Sequence, residues 1–193
     1  MLIAFEGLDQ SGKETQALLL RDRFRSNGFK SRIMSFPDYG TSIGEEIARA
    51  LQGERDYDAE VMQLLYVANR YERRADLTRW QQADIKLICD RYIASSIAYG
   101  EAEGLNRAWL IDLQTFLPQP DLTILLDITP ETAIERKVAG RDRYEKDLEL
   151  QIRVRESYLK QAQQPNWLCI NGEQPPSDVS QEIIQAIERN QEQ

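Results

Sequence analysis

The sequence predicts an α/β sandwich in which one sheet of five parallel strands is covered by helices on both faces. Short β-type runs alternate with longer helical patterns along the 193 residues. Runs such as Leu122–Asp127 are apolar on both faces, which suits a sheet with no solvent-exposed side. Strands that alternate with helices form parallel sheets through right-handed crossovers, and this chain length is typical of one compact domain.

The strands follow from their apolar runs. We expect them at Leu2–Glu6, Ser31–Phe36, Ile85–Asp90, Leu122–Asp127 and Trp167–Ile170.

Helix-sized segments fill the gaps between the strands. Gly28 follows the first helix, Asp58 can cap a long helix that runs to Arg79, and Asp178 can cap the last helix. The polar segment Asn171–Ser177 contains two prolines and predicts a loop.

Composition excludes several classes of function. The formal net charge of −8 repels a nucleic-acid backbone, so a nucleic-acid polymer is not an expected partner. The absence of histidine excludes imidazole bases and triads, and Cys89 and Cys169 lack metal-type spacing and predict buried thiols. No apolar run is long enough to span a membrane and no targeting segment is evident, so we expect a cytoplasmic protein.

A glycine-rich segment directly after the first strand predicts a phosphate-binding loop. Its residues are Gly7, Leu8, Asp9, Gln10, Ser11, Gly12, Lys13, Glu14 and Thr15. Glycines at both ends let backbone N–H groups surround a polyphosphate, the following helix adds its positive end, and Lys13 can reach the phosphates. The structural alternative is a glycine turn with a solvent-facing lysine.

Glu14 departs from the usual loop pattern, in which this position holds a Ser or Thr that binds Mg²⁺. An unbalanced carboxylate ~5 Å from a phosphate costs about 3 kcal/mol at an effective dielectric of 20. Glu14 therefore either contacts the metal or points away from the phosphates.

The third strand ends in a carboxylate and a guanidinium, at the sheet edge where α/β proteins bind ligands. Asp90 is a candidate Mg²⁺ group, and Arg91 is a candidate phosphate clamp because its planar fork binds bidentately. The alternative is a strand-end salt bridge between the two. Ser95, Ser96 and Tyr99 follow at helical spacing.

Three residues of the long helix share one face. Tyr66, Asn69 and Arg70 lie at i, i+3 and i+4, so the ring can stack on a planar base while the arginine donates to its carbonyl. A simple core role for the aromatic ring is the alternative. The segment Phe36–Gly40 predicts a shaped loop at the same edge.

Together these motifs give the chain its resemblance to a known family. In chain order they are Phe5–Asp9, Lys13, Thr15–Gln16, Phe36–Pro37, Ala68–Arg70, Asp90–Tyr92, Pro120–Thr123 and Asp142–Glu145. This set, which covers nearly the whole chain, resembles the thymidylate kinase family of nucleoside monophosphate kinases. The resemblance implies a three-layer sandwich of the P-loop NTPase, nucleotide kinase type, spanning residues 1–193 as one domain with a lid near residues 136–147.

The resemblance also implies the reaction and its partners: transfer of the γ-phosphoryl of ATP to dTMP by a homodimer that uses Mg²⁺. The loop residues 7–15 would bind ATP, with Lys13, Arg91 and Arg141 catalytic and Asp90 and Glu14 near the metal. The residues implied to bind dTMP are Asp9, Phe36, Tyr39, Tyr66, Arg70, Arg91, Ser96, Tyr99, Tyr144 and Glu145.

Some positions depart from the family pattern. Gln10 stands where one group of the family carries an arginine, so we expect the basic lid to supply it, with Arg141 the first choice. A solvated basic turn is the alternative. Asp38 and Tyr39 occupy positions where members often carry a phosphate-binding arginine; Tyr39 can donate instead, and Asp38 must point away.

Two other functions fit the same motifs. One is a kinase of another nucleoside monophosphate or of a deoxynucleoside, and the other is a regulator that binds nucleotides without catalysis. A comparison of monophosphates in an ADP-release assay separates them.

Overall fold

The computed structural model describes residues 1–136, 144 and 147–191. Over these residues five strands form one parallel sheet: β1 (Leu2–Glu6), β2 (Ser31–Ser35), β3 (Lys86–Asp90), β4 (Leu122–Asp127) and β5 (Trp167–Asn171). Their order across the sheet is β2-β3-β1-β4-β5. The predicted fold class is confirmed.

Nine helices connect and flank the strands within the described ranges. They are α1 (Lys13–Ser26), α2 (Ser42–Leu51), α3 (Ala59–Glu72), α4 (Arg74–Gln82), α5 (Ile93–Ala102), α6 (Arg107–Asp112), α7 (Pro130–Arg136), α8 (Leu148–Gln161) and α9 (Pro176–Gln191). None of these helices combines the length and apolar character needed to cross a membrane.

Both faces of the central strand β1 are buried, as its apolar run predicts. Ile3 and Phe5 join a core cluster with α1 and α9 on one face, while Leu2 and Ala4 join a second cluster with Leu77 of α4. The alternation of side chains along a strand places successive residues in these opposite layers. A third cluster, between α5 and α8, covers the β4 side of the sheet.

The expected long helix from Asp58 to Arg79 is wrong. It is divided at Arg73, where the backbone N–H bonds to Arg70 O in a tighter turn and a new helix starts at Arg74. Arg73 Nε also donates to Asp38 Oδ2 at 2.6 Å. A tertiary ion pair therefore coincides with the break in an otherwise continuous helical pattern.

Smaller boundaries also differ. The last helix begins at Pro176, inside the predicted loop, because proline is tolerated in the first turn of a helix; Asp178 lies in that turn and is not the cap. Cys89 is buried as expected, whereas Cys169 on the edge strand is exposed.

The sheet topology places two chain segments side by side at one edge. β1 pairs with β3 in parallel, with Phe5 opposite Asp90, and Arg91 N donates to Phe5 O at 2.9 Å. After β1 the chain continues to β2, at one lateral edge of the sheet, and after β3 it continues to β4, toward the opposite lateral edge. The crevice between the carboxyl ends of these strands is the position where open α/β sheets bind ligands.

Candidate active site

Two glycines let the loop after β1 turn tightly. Gly7 has φ +140°, and a Cβ there would lie 2.5 Å from the carbonyl oxygen of Leu126 on β4. Gly12 has φ +92° and is the N-cap of α1. The loop therefore follows the sheet edge closely and ends in the first turn of a helix, whose leading N–H groups lack partners within the helix.

Lys13 is the first residue of α1 and is 7% exposed. Its Nζ donates to Leu8 O at 2.8 Å and lies 3.5 Å from Ser11 Oγ, so the side chain reaches back across the loop. Burial and the nearby Arg91 lower its pKa to about 8, against the opposing effect of Asp9 and other carboxylates. The ammonium group is thus poised to take up a negatively charged partner.

A pocket that is open to solvent lies over this loop; we call it the phosphate-loop pocket. Its lining includes Asp9, Gln10, Gly12, Lys13, Glu14, Thr15, Phe36, Pro37, Tyr39, Asp90 and Arg91. Glu14 and Thr15 are exposed, and Asp90 is half-buried. Six of the nine predicted loop residues therefore face one space with the carboxylate at the end of β3, whereas Gly7, Leu8 and Ser11 do not line it.

Arg91 lies directly after β3 in the left-handed conformation, with φ +62°. Its Nη2 donates to Asp9 Oδ1 at 2.6 Å, and its guanidinium lies 5.4 Å from the centre of the Tyr99 ring. Burial lowers the pKa of Arg91, but Asp9 and neighbouring hydroxyls outweigh burial and place it well above the usual value. Arg91 is therefore a permanently charged fork at the crevice; its partner is Asp9, not Asp90.

A second pocket opens beside the first; we call it the aromatic pocket. Among the described residues its lining comprises Asp9, Phe36, Pro37, Tyr39, Leu51, Gln63, Tyr66, Arg70, Arg91, Ser95, Ser96, Tyr99 and Tyr144. Asp9, Phe36, Pro37, Tyr39 and Arg91 belong to both pockets. The two spaces thus adjoin along a shared wall that contains the Asp9–Arg91 pair.

Arg70 lies in the floor of the aromatic pocket and is 3% exposed. Its Nη1 donates to Ser96 Oγ at 2.6 Å and to Gln114 Oε1 at 3.4 Å. Burial lowers its pKa. Tyr66 lines the same pocket and also packs against the α5–α8 core, so the pocket and core interpretations of this ring both hold.

Asn69 does not share the position of Tyr66 and Arg70, which line the aromatic pocket. It does not line either pocket; its Oδ1 accepts from Asp38 N at 2.7 Å, and its Nδ2 donates to Thr41 Oγ1 at 2.9 Å. The Asp38 carboxylate turns to Arg73. The side chain of Asn69 therefore holds the 36–40 loop, and Asp38 points away from the pockets, as the sequence requires.

The segment near residues 136–147 is described only in part. Tyr144 is buried, and its ring meets Tyr99 edge-on with centroids 5.5 Å apart. Arg136 donates from Nη1 to Gln10 O at 3.1 Å and from Nη2 to Gly172 O at 3.1 Å. Arg141 and Glu145 lie outside the described residues.

Sequence reasoning missed several residues of the site. Gln63, Pro37 and Leu51 line the aromatic pocket, and Glu6 and Tyr158 contact the residues around Arg91. Glu6 carried a signal that was available: it is a carboxylate at the end of a buried strand, like Asp90. Tyr158 carried none, because one tyrosine in a distant helix resembles any core residue.

Comparisons with known proteins agree with this geometry. Residues 5–183 match the family model for thymidylate kinase. The chain is 33% identical over 186 residues to thymidylate kinase from Plasmodium falciparum, covering 96% of this chain and 88% of the relative. It is 35% identical over 196 residues to a probable thymidylate kinase from Pyrococcus horikoshii, covering 96% and 94%.

A solved structure extends the similarity to three dimensions. Thymidylate kinase from Candida albicans superimposes with a TM-score of 0.84 at 30% identity, covering 98% of this chain and 92% of that one.

Proposed function

This chain belongs to the thymidylate kinase family and converts dTMP to dTDP with ATP, and we propose that its adjoining pockets hold the two nucleotides. The observation that supports this assignment is that the two pockets share part of their lining. Arg91 and Asp9 line both pockets, so phosphates entering from either side meet at one guanidinium. A phosphoryl transfer requires such a meeting of donor and acceptor.

The phosphate-loop pocket is assigned to ATP. Residues 7–15 surround the polyphosphate with backbone N–H groups, and the first turn of α1 adds its positive end. Lys13, already folded across the loop, contributes a charge that the phosphates stabilise by raising its pKa. The open side of this pocket leaves room for the rest of the nucleotide.

The aromatic pocket is assigned to dTMP. Phe36 and Tyr66 pack on the base, and Arg70 with Ser96 supplies hydrogen bonds to it. Tyr99 lies beside Arg91 and suits the deoxyribose. The remaining assigned contacts are Asp9 on the sugar 3′-hydroxyl, Tyr39 and Arg91 on the phosphate, and Tyr144 and Glu145 from the lid.

The reaction is an in-line attack of a dTMP phosphate oxygen on the γ-phosphorus of ATP, which breaks the bond to the β–γ bridging oxygen and releases ADP. The nucleophile is already an anion, so a chain without histidine loses nothing. Catalysis then depends on position and charge neutralisation, to which we assign Lys13, Arg91 and Arg141. Closure of the 136–147 lid would exclude water.

Mg²⁺ is the expected cofactor, and the donor set fits it. Asp90 and Glu14 line the phosphate-loop pocket, and one or two carboxylates plus substrate phosphates are the usual ligands of Mg²⁺. Among the described residues no group of three or more His, Cys, Asp or Glu forms a metal cage. When bound, Mg²⁺ would neutralise part of the negative charge on the phosphates while the phosphoryl group is transferred.

The assembly and location are further parts of the proposal. We infer a homodimer of single kinase domains, 1–193, acting in the cytoplasm. Support for the dimer comes from exposed apolar side chains on α3, on α6 and just after α6, namely Val61, Leu64, Ile111 and Phe116. Phe116 is 70% exposed, which is costly for a large aromatic ring in water. Sedimentation analysis of the chain tests this state.

A coupled ADP-release assay with Mg²⁺ and ATP tests the function. In a panel with dUMP, we expect dTMP to be turned over faster than CMP, because Tyr99 beside the sugar site disfavours a ribose and Arg70 reads the base, and faster than thymidine, which lacks the phosphate assigned to Arg91. Rapid turnover of CMP or thymidine in place of dTMP would identify a different acceptor. ATP binding without ADP release on addition of dTMP would indicate the regulator instead.

A further inference from the structure

Glu6, the last residue of β1, is completely buried beneath the site. Four donors converge on its carboxylate. Oε1 accepts from the backbone N–H of Tyr92 at 2.9 Å and of Ser95 at 3.3 Å. Oε2 accepts from Ser95 Oγ at 2.6 Å and from the Tyr158 hydroxyl at 3.1 Å. An ionised carboxylate, which can only accept hydrogen bonds, matches these four donors. Because two of the donors are backbone N–H groups at the start of α5, Glu6 also caps the N-terminus of that helix.

The two hydroxyls on Glu6 are also the contacts of Arg91. Arg91 Nη1 donates to Ser95 Oγ and to the Tyr158 hydroxyl, each at 3.3 Å, and the two hydroxyls lie 2.9 Å apart. A hydroxyl has one proton to donate and lone pairs with which to accept. Because the carboxylate draws their protons, both hydroxyls present lone pairs to the guanidinium. Donation therefore runs in one direction, from Arg91 to the hydroxyls and on to Glu6.

We propose that Glu6 is a positioning residue for phosphoryl transfer: without touching nucleotide, it orients Arg91 through the hydroxyls of Ser95 and Tyr158. This inference rests on the proposed role of Arg91 at the dTMP phosphate. The two nitrogens of Arg91 are thereby directed differently, Nη2 toward Asp9 and Nη1 toward the hydroxyl pair. Hydrogen bonds from buried neighbours hold a catalytic side chain in its productive geometry.

Glu6→Gln tests the direction of the hydrogen bonds. The amide oxygen must take the place that accepts from the two backbone N–H groups, so the NH₂ faces the hydroxyls and donates to them. The hydroxyl protons of Ser95 and Tyr158 then turn toward Arg91 Nη1, so that hydrogen-bond donors face each other and the contacts that orient the guanidinium are lost. We expect kcat/KM for dTMP to fall at least tenfold while KM for ATP changes less than threefold, consistent with loss of a hydrogen bond to a charged group.

Tyr158→Phe tests the relay with a smaller change. It removes one hydroxyl and keeps the ring, and we expect kcat/KM for dTMP to fall about fivefold. Tyr71→Phe is the matched control, because the Tyr71 hydroxyl donates to Leu113 O at 3.0 Å, away from both pockets. Glu101→Gln is the second control, since Glu101 accepts from Arg107 at 2.7 Å and contacts Ser157 on α8. Both controls should keep the wild-type kinetics.

The background of Arg91→Lys separates positioning from general structural damage. Lysine lacks the planar guanidinium that the hydroxyls orient. In the Arg91→Lys background, Glu6→Gln and Tyr158→Phe should therefore each change kcat/KM for dTMP by less than twofold. Effects as large as those in the wild-type background would overturn the inference. If Glu6→Gln does not fold, as judged by circular dichroism, Tyr158→Phe in the two backgrounds decides. A wild-type protein that makes no dTDP overturns the proposed function itself, whereas an active wild type with unaffected variants overturns only the role of Glu6.

Discussion

Arg91 and Asp9 form an ion pair across the crevice, with Nη2 donating to Oδ1 at 2.6 Å. Asp9 belongs to the loop after β1 and Arg91 to the residues after β3, so the pair joins the two strand ends at the topological switch point. Both residues line both pockets. The pair therefore couples the phosphate loop to the pocket assigned to dTMP.

Arg91→Ala should lower turnover at least 100-fold while the protein remains folded, because the fork that neutralises phosphate charge is lost and Asp9 is left without its cation. Steady-state kinetics with dTMP measure the loss. Arg107→Ala serves as the control, since Arg107 pairs with Glu101 at 2.7 Å and lines neither pocket. Near-normal turnover of Arg91→Ala would contradict the assigned role.

Lys13 should impose a pH dependence on the free enzyme. With a pKa of about 8, its ammonium loses the proton as pH rises above 8, and positive charge at the phosphates decreases. We expect kcat/KM for ATP to fall above about pH 8, and kcat to fall only at higher pH because bound phosphates raise the pKa.

Lys13→Ala provides the control for this profile. Its turnover should be at least 100-fold lower, and its residual activity should show no fall near pH 8. The same alkaline fall in Lys13→Ala would assign the titration to another group.

Gly7 and Gly12 should respond differently to alanine. At Gly7 a Cβ meets the Leu126 carbonyl at 2.5 Å and Ser11 Oγ at 2.9 Å, so Gly7→Ala should destabilise the fold by more than the ~1–2 kcal/mol of a left-handed alanine. At Gly12, with φ +92°, an alanine carries the left-handed strain of ~1–2 kcal/mol alone, because among the described residues nothing beyond its chain neighbours lies within 4 Å of the added Cβ. Gly12 also lines the phosphate-loop pocket. Gly12→Ala should mainly raise KM for ATP. Urea denaturation and kinetics on both variants measure the contrast, and equal stability losses would refute it.

Arg70→Met should weaken discrimination between bases. The substitution keeps much of the volume but removes the guanidinium that binds Ser96 and faces the pocket. We expect kcat/KM for dTMP to fall about 10- to 100-fold, with a smaller loss for dCMP. Arg153→Met is the control, because Arg153 donates to Ala102 O at 2.9 Å away from both pockets. An unchanged ratio of dTMP to dCMP turnover in Arg70→Met would rule out base reading by Arg70.

Asp90 and Glu14 can be ranked as Mg²⁺ groups by titration. Asp90 is half-buried at the end of β3, whereas Glu14 is exposed on α1 and free to turn outward into solvent. Asp90→Asn should raise the Mg²⁺ concentration needed for half-maximal activity about tenfold, and Glu14→Gln by less than threefold. The reverse order would make Glu14 the main metal group.

Local patterns in the sequence predicted most of the architecture. The strand runs, the glycine spacing of the loop and the strand-end residues Asp90 and Arg91 depend on near neighbours, so periodicity and motif spacing reveal them. The family resemblance added the reaction, which the comparisons confirm. The roles assigned to single site residues stay predictions, and those of Arg141 and Glu145 fall outside the described chain.

Only the tertiary structure decided which side chains meet. The break between α3 and α4 coincides with the pairing of Arg73 with Asp38, 35 positions away, and the surroundings of Arg91 include Glu6 and Tyr158, which are 152 positions apart. Hydrogen bonds and ion pairs act over a few ångströms, so they depend on how helices and strands are placed in space. A one-dimensional pattern determines each element and the face it buries, but it does not encode which distant partner that face contacts.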